Sequence, residues 1–159
     1  MTPISRLLRL AILLWLISPP MANAANLPCD AANPAQVRLQ VSVSGMRTTQ
    51  GQIVIAVYPD AQKGFLKGAH KLAEQRLPVV LPVTHACFGM PAPGYYAVAL
   101  FGDVNDNDHF DLTVLGLPAE GYGFSNNPHL VFGPPAIGKV RFPAHIGDNQ
   151  IVIRMQYYP

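Results

Sequence analysis

Val37, Leu39, Val41 and Val43 alternate with Arg38, Gln40, Ser42 and Ser44, and no stretch of the chain carries the spacing of an amphipathic helix. A period of two puts successive side chains on opposite faces of an extended backbone, so this run is a strand with one wet face. Residues 52–58 (QIVIAVY) and 95–101 (YYAVALF) are apolar on both faces, which suits strands central in their sheet. Residues 45–51 read as the turn of a hairpin joining the first two strands. Residues 60–76 are broken by Gly64 and Gly68, so only short turns form there, with Phe65 and Leu66 tucked onto the core. Residues 77–83 (LPVVLPV) set Val79, Leu81 and Val83 on one face and Pro78 and Pro82 on the other, and prolines argue for an edge strand. Cys87 and Phe88 lead to a turn at Pro93 and Gly94. Residues 139–142 (KVRF) and 150–157 (QIVIRMQY) close the domain, the latter with Ile151, Ile153, Met155 and Tyr157 inward. With 16 prolines and 13 glycines punctuating these short runs, the chain is all-β. A two-sheet antiparallel sandwich with Greek-key connections and one long loop excursion is the expected architecture, and a closed barrel is the alternative.

Residues 1–24 stand apart from the fold. Arg6 and Arg9 give a basic start, residues 10–17 an unbroken apolar run, Pro19 and Pro20 a break, and Ala22 and Ala24 the small residues that a signal peptidase reads. This is a secretory signal peptide, because a membrane span needs about 20 apolar residues and the run is far shorter. Residues 25–35 form a lead-in, and residues 36–159 a single domain. The chain has 11 Lys and Arg against 9 Asp and Glu, and without Arg6 and Arg9 the two signs balance. The remaining cations are scattered, which leaves no basic footprint for nucleic acid. The expected destination is the periplasm or the medium, with no membrane span in the mature chain. Two cysteines, Cys29 and Cys87, allow one pairing in an oxidising compartment. A disulfide there would contribute ~2–4 kcal/mol; two separate thiols are the alternative.

Residues 103–111 (DVNDNDHFD) place Asp103, Asn105, Asn107 and Asp111 at loop positions one, three, five and nine, with the carbonyl of His109 at seven. Calcium takes six to eight hard oxygens, and this spacing matches the first nine positions of an EF-hand-type loop. Asp108 stands where glycine makes the sharp turn, and Val114 where a bidentate glutamate closes the site. Water or a distant oxygen such as Glu120 would complete the set, with an affinity of ~10⁻⁴–10⁻³ M, as in extracellular modules. A solvated Asp/Asn turn bonded to its own backbone is the competing reading.

The segment 116–135 holds Tyr122, Phe124, Asn126 and Asn127, an aromatic and amide set of the kind that lines a sugar or peptide site. The competing reading has Gly121 and Gly123 making tight turns, the aromatics anchoring the loop, and the amides capping backbone. Catalysis finds little support. Ser125 lacks the second glycine of a nucleophile elbow. The histidines at 70, 85, 109, 129 and 145 show no zinc spacing, and Glu74 and Glu120 lie far apart. A non-enzymatic exported protein with a calcium-stabilised loop is the leading expectation; a carbohydrate- or peptide-binding module is the alternative.

These landmarks together carry a resemblance. PGYYAV from residue 93, the Asp103, Asn105, Asn107 loop closing at Asp111, LPAEGYGFSNN over 117–127 and FGPP over 132–135 resemble the domain-of-unknown-function family numbered 2141. The match is dense from about residue 94 to 142 and looser over 36–58 and 150–157. Gly102 stands where that family usually has histidine, and Asp108 where it usually has glycine. The resemblance implies a secreted or periplasmic bacterial protein with an immunoglobulin-like or transthyretin-like sandwich. It implies no activity.

Overall fold

The four apolar residues of the opening alternation are buried and their polar neighbours are half-buried, because strand β1 (Val37–Ser44) lies with one face on the core. The computed structural model describes residues 29–130 and 133–158. The signal-peptide reading and Phe132 of the FGPP motif therefore lie outside the described residues. Two packed sheets make up the domain. In the first, β1 is central, antiparallel to β4 (Val83–Met90) and parallel to β8 (Gly147–Arg154). In the second, β2 (Gln52–Pro59) pairs antiparallel with β3 (Ala73–Pro78) and with β5 (Gly94–Asp103). The outer edge of β5 is shared by β6 (Tyr122–Phe124) and β7 (Phe142–Ala144).

The expected hairpin of the first two strands is therefore not formed. Residues 45–51 cross from one sheet to the other. The reason lies in what each strand needs covered: β1 has one wet face, whereas β2 is apolar on both. Leu39, Val41 and Val43 meet Ile53, Ile55, Val57, Val98 and Leu100 between the sheets. On the far face of the five-stranded sheet, Ala56, Tyr58, Ala97 and Ala99 are covered by Phe65, Phe124, Ile137 and Val140. Strands with both faces buried read as continuous apolar runs.

Other expected boundaries also move. Residues 77–83 are not one strand, because β3 ends at Pro78, β4 begins at Val83, and residues 79–82 cross between the sheets. Proline cannot donate to a ladder, and the two prolines bracket the gap. Cys87 and Phe88 lie inside β4 rather than before a turn. Phe65 is buried as expected, but Leu66 is exposed. Lys139 belongs to a single helical turn, α1 (Ile137–Val140), and the strand expected over 139–142 begins only at Phe142. Ile137 and Val140, three residues apart, face the same side of that turn and enter the second core.

Gly121 and Gly123 make no tight turn. They allow close approach: a Cβ at Gly123 would sit 2.7 Å from Ile153 Cγ2, and one at Gly121 2.6 Å from the Tyr157 ring. Here β6 runs against the end of β8, and Tyr122 and Gln156 exchange two backbone hydrogen bonds at 2.9 and 2.7 Å. One flank of the sandwich is thus stitched. Cys29 and Cys87 are disulfide-bonded with Cα atoms 5.6 Å apart, tying the lead-in to β4.

Candidate functional site

The acidic loop begins where β5 ends. Asp103, fully buried, accepts hydrogen bonds from Asn107 N (3.0 Å), Asp108 N (2.9 Å) and Gln52 Nε2 (3.3 Å). Glu120, also buried, accepts from Val104 N and Asp111 N, both at 3.0 Å. Two carboxylates from opposite ends of the excursion therefore hold the backbone of residues 104–111. Hydrogen bonds to ionised acceptors are the strong ones. Asp106 and Asp108 are left-handed, with φ of 55° and 65°, a conformation that Asp tolerates better than most residues. Arg76 on β3 donates to Asp108 at 2.8 Å and braces the loop from the side.

Of the five residues singled out for a cation, three converge. Asn105 Nδ2 donates to Asp111 at 2.8 Å, and Asn107 Nδ2 donates to both Asp111 oxygens at 3.1 and 3.0 Å. Asp103 faces the backbone instead. His109 donates its N–H to Asn107 Oδ1 at 2.9 Å, and its side chain is exposed. Glu120, considered as a distant ligand, has both oxygens occupied by N–H donors. The convergent set is one carboxylate and two amides, fewer oxygens than calcium takes. Among the described residues, no three His, Cys, Asp or Glu side chains gather into a set that could hold a metal ion.

Beyond Asp111 the chain makes a second, tighter turn. Leu112 bridges Pro118, Thr113 N donates to Leu117 O at 2.7 Å, and Gly116 N to Thr113 O at 2.8 Å. Gly116 has φ +75°, the left-handed region in which glycine pays no steric penalty. This knob holds three large apolar side chains in solvent: Leu112 is 55 % exposed, Val114 103 % and Leu115 81 %. Reading Val114 as a cation-loop position hid this feature. The signal was the apolar run LTVLGL inside an otherwise polar excursion.

The aromatic and amide set does not line an open groove. Phe124 is buried in the second core and Tyr122 packs against it, in a chain of rings from Phe101 through Phe110, Tyr122 and Phe124 to Phe65. Asn126 and Asn127 are left-handed and spend their amides on backbone. Asn126 Nδ2 donates to Arg141 O at 2.8 Å. Asn127 donates to Val152 O at 2.8 Å and accepts from Arg154 N at 2.7 Å. Ser125 is fully buried, accepting from Val98 N and donating to Val140 O.

The titrations that depart from ordinary values are structural. Its hydrogen bond from Arg38 holds Asp148 below the usual carboxylate range, and Arg38 is raised in return. Burial pulls the Arg76 guanidinium down, but hydrogen bonds to Asp108 and Glu74 more than offset this and raise it. Burial, with help from the Glu74 charge, pushes Tyr58 up to about 12. Among the described residues every buried side-chain nitrogen and oxygen has a hydrogen-bond partner. Among them, too, no helix is long and apolar enough to cross a membrane.

Compared with known proteins, residues 41–152 match the family described as "Uncharacterized protein conserved in bacteria (DUF2141)". No curated protein and no solved structure matches the chain.

Proposed function

The chain belongs to that uncharacterised bacterial family, and from that premise we propose that it is an exported, non-catalytic sandwich that works by recognition, presenting the knob at residues 112–118 on a stiffened loop. One observation carries this reading. Two buried carboxylates, Asp103 and Glu120, hold four backbone N–H groups of residues 104–111, and the loop they stiffen keeps Leu112, Val114 and Leu115 in water. Large apolar side chains held out together mark interaction sites, and rigidity lowers the ordering cost of binding. Export rests on the leader read in residues 1–24 and on the disulfide. The non-catalytic reading rests on the buried polar side chains: Thr84, Asp103, Glu120 and Ser125 are all engaged with backbone groups.

Amide hydrogen exchange tests the presentation. The N–H groups of Val104, Asn107, Asp108 and Asp111 are expected to be protected in the wild type. In Asp103→Ala, those of Asn107 and Asp108 lose protection while the β1 and β2 amides keep theirs. Loop amides that exchange as fast as those of residues 30–35 in the wild type would refute the proposal.

A cation is a second reading of the same loop, favoured by the convergence of Asn105, Asn107 and Asp111. Both amides would turn over to offer Oδ1, and water would supply the remaining oxygens. Thermal melts in millimolar calcium against chelator decide it. A higher melting temperature in calcium, abolished by Asp111→Ala, supports a site, whereas identical melts remove the metal from the account.

A further inference from the structure

The knob closes most of its backbone on itself while its side chains stay in water. Between Asp111 and Glu120 the chain runs Leu-Thr-Val-Leu-Gly-Leu-Pro-Ala, with no charged residue. Thr113, Gly116 and Leu117 donate their N–H groups inside the knob, to Leu117 O, Thr113 O and Thr113 Oγ1. Ala119 N donates to Asp111 O at 2.9 Å, and Pro118 has no N–H to satisfy. Over residues 113–119 this leaves only the N–H groups of Val114 and Leu115, at the tip. The two most exposed apolar side chains sit on that same tip, Val114 at 103 % and Leu115 at 81 %. Polar residues, Asp106, Asp108, His109 and Asp111, stand at its root, and Asp108 is paired there with Arg76.

We infer that the knob inserts into the interfacial layer of a zwitterionic phospholipid bilayer and holds this protein reversibly at a membrane surface. The inference rests on the presentation reading above and adds the identity of what is recognised. Backbone closure is the first argument. Unpaired backbone groups are costly in lipid, and this turn keeps all but two of its N–H groups paired over residues 113–119. Those two, at the tip, meet the ester carbonyls of the headgroup–acyl boundary. Reach is the second. From Leu112 to Leu115 an extended chain spans about 7–10 Å, and an apolar face at that boundary is buried by about 5–10 Å. Composition is the third. Protein contacts are anchored by Trp, Tyr and Arg, with Leu and Val under-represented, whereas this tip is aliphatic alone. Charge selects among lipids, because Asp106 and Asp111 at the root are repelled by anionic headgroups. Leu112, Val114 and Leu115 carry about 11 side-chain carbons, fewer than a myristoyl chain, which alone gives a constant of about 10⁴ M⁻¹. The knob is therefore expected to bind at about 10³ M⁻¹, half-bound near ~1 mM lipid.

Co-sedimentation of the mature chain with vesicles of phosphatidylethanolamine and phosphatidylcholine tests this. Val114→Asp combined with Leu115→Asp lowers binding at least about tenfold. The thermal melt of that variant without lipid matches the wild type, since both side chains are exposed. The one tryptophan of the chain, Trp15, lies in the leader, so Leu115→Trp gives the mature chain a single indole at the tip. Its emission moves to shorter wavelength when vesicles are added. Exchanging part of the lipid for phosphatidylglycerol weakens binding at low salt. A wild type that stays in the supernatant at about 10 mM lipid overturns the inference. So does a double variant that binds as the wild type does, a tryptophan whose emission stays put, or binding that strengthens with phosphatidylglycerol. A chain that ignores vesicles but forms a dimer broken by the double variant overturns it too, giving the knob to a second copy. Any of these results leaves the presentation reading intact, because loop protection is measured by amide exchange without lipid.

Discussion

Asp103 shows how a carboxylate can be buried: two backbone N–H groups and the Gln52 amide surround it and take the place of water. Tyr58 is the opposite case, a group buried in its neutral form. Its pKa is pushed up to about 12 by burial first and by Glu74 second. Below about pH 10 the tyrosine is neutral in both the folded and the unfolded chain, and its contribution to stability is fully present. As pH rises from about 10 to about 12 the unfolded chain ionises first, so that contribution is lost, up to about 2–3 kcal/mol. Absorbance titration is expected to show one of the six tyrosines ionising near pH 12. Tyr58→Phe is expected to lose less stability than the wild type between pH 10 and 12. Equal slopes for the two proteins would contradict the burial argument.

At the scale of elements, the flank where β6 meets β8 depends on a side chain acting as a strand. An edge strand leaves backbone groups unpaired, and the Asn127 carboxamide pairs with Val152 O and Arg154 N on β8 as a peptide group would. Its φ of 46° suits asparagine better than most residues. Asn127→Ala is expected to cost about 1–3 kcal/mol in denaturant unfolding. The Arg154 amide should also exchange faster, and an unchanged unfolding midpoint would show the stitch to be idle. The same reasoning explains Asn126, which holds Arg141 O at the end of α1. These two asparagines looked like a polar binding pair in the sequence because amides suit a ligand and a missing strand equally well.

For the whole molecule, the disulfide is the longest covalent constraint. It joins residues 58 apart and ties the lead-in to the three-stranded sheet. The chain-entropy account gives about 4 kcal/mol for a loop of that length. The double variant Cys29→Ser, Cys87→Ser is expected to melt lower by on the order of 10 °C. Reductant should lower the wild-type melt by a similar amount and leave the variant unchanged. A reduced wild type that melts where the oxidised one does would show the constraint to be without effect.

Local pattern determined β1, β2 and β5 and their faces. The alternation over residues 37–43 and the two-sided apolar runs at 52–58 and 95–101 each specify how many faces must be covered, and the structure covers that number. Two cysteines allow one pairing or none, and the structure forms the pair. Pattern could not choose neighbours, because a strand's partner depends on contacts between residues far apart in sequence. Hence β1 lies against β8 and not β2. The acidic loop turned on the same limit. Oxygens at 103, 105, 107 and 111 suit a cation or a ring of N–H donors alike. Gln52, 51 residues before Asp103, and Glu120, 17 after it, add contacts to this loop that local spacing does not specify. The knob emerged for the same reason: whether an apolar run such as residues 112–117 is covered depends on what the fold sets beside it.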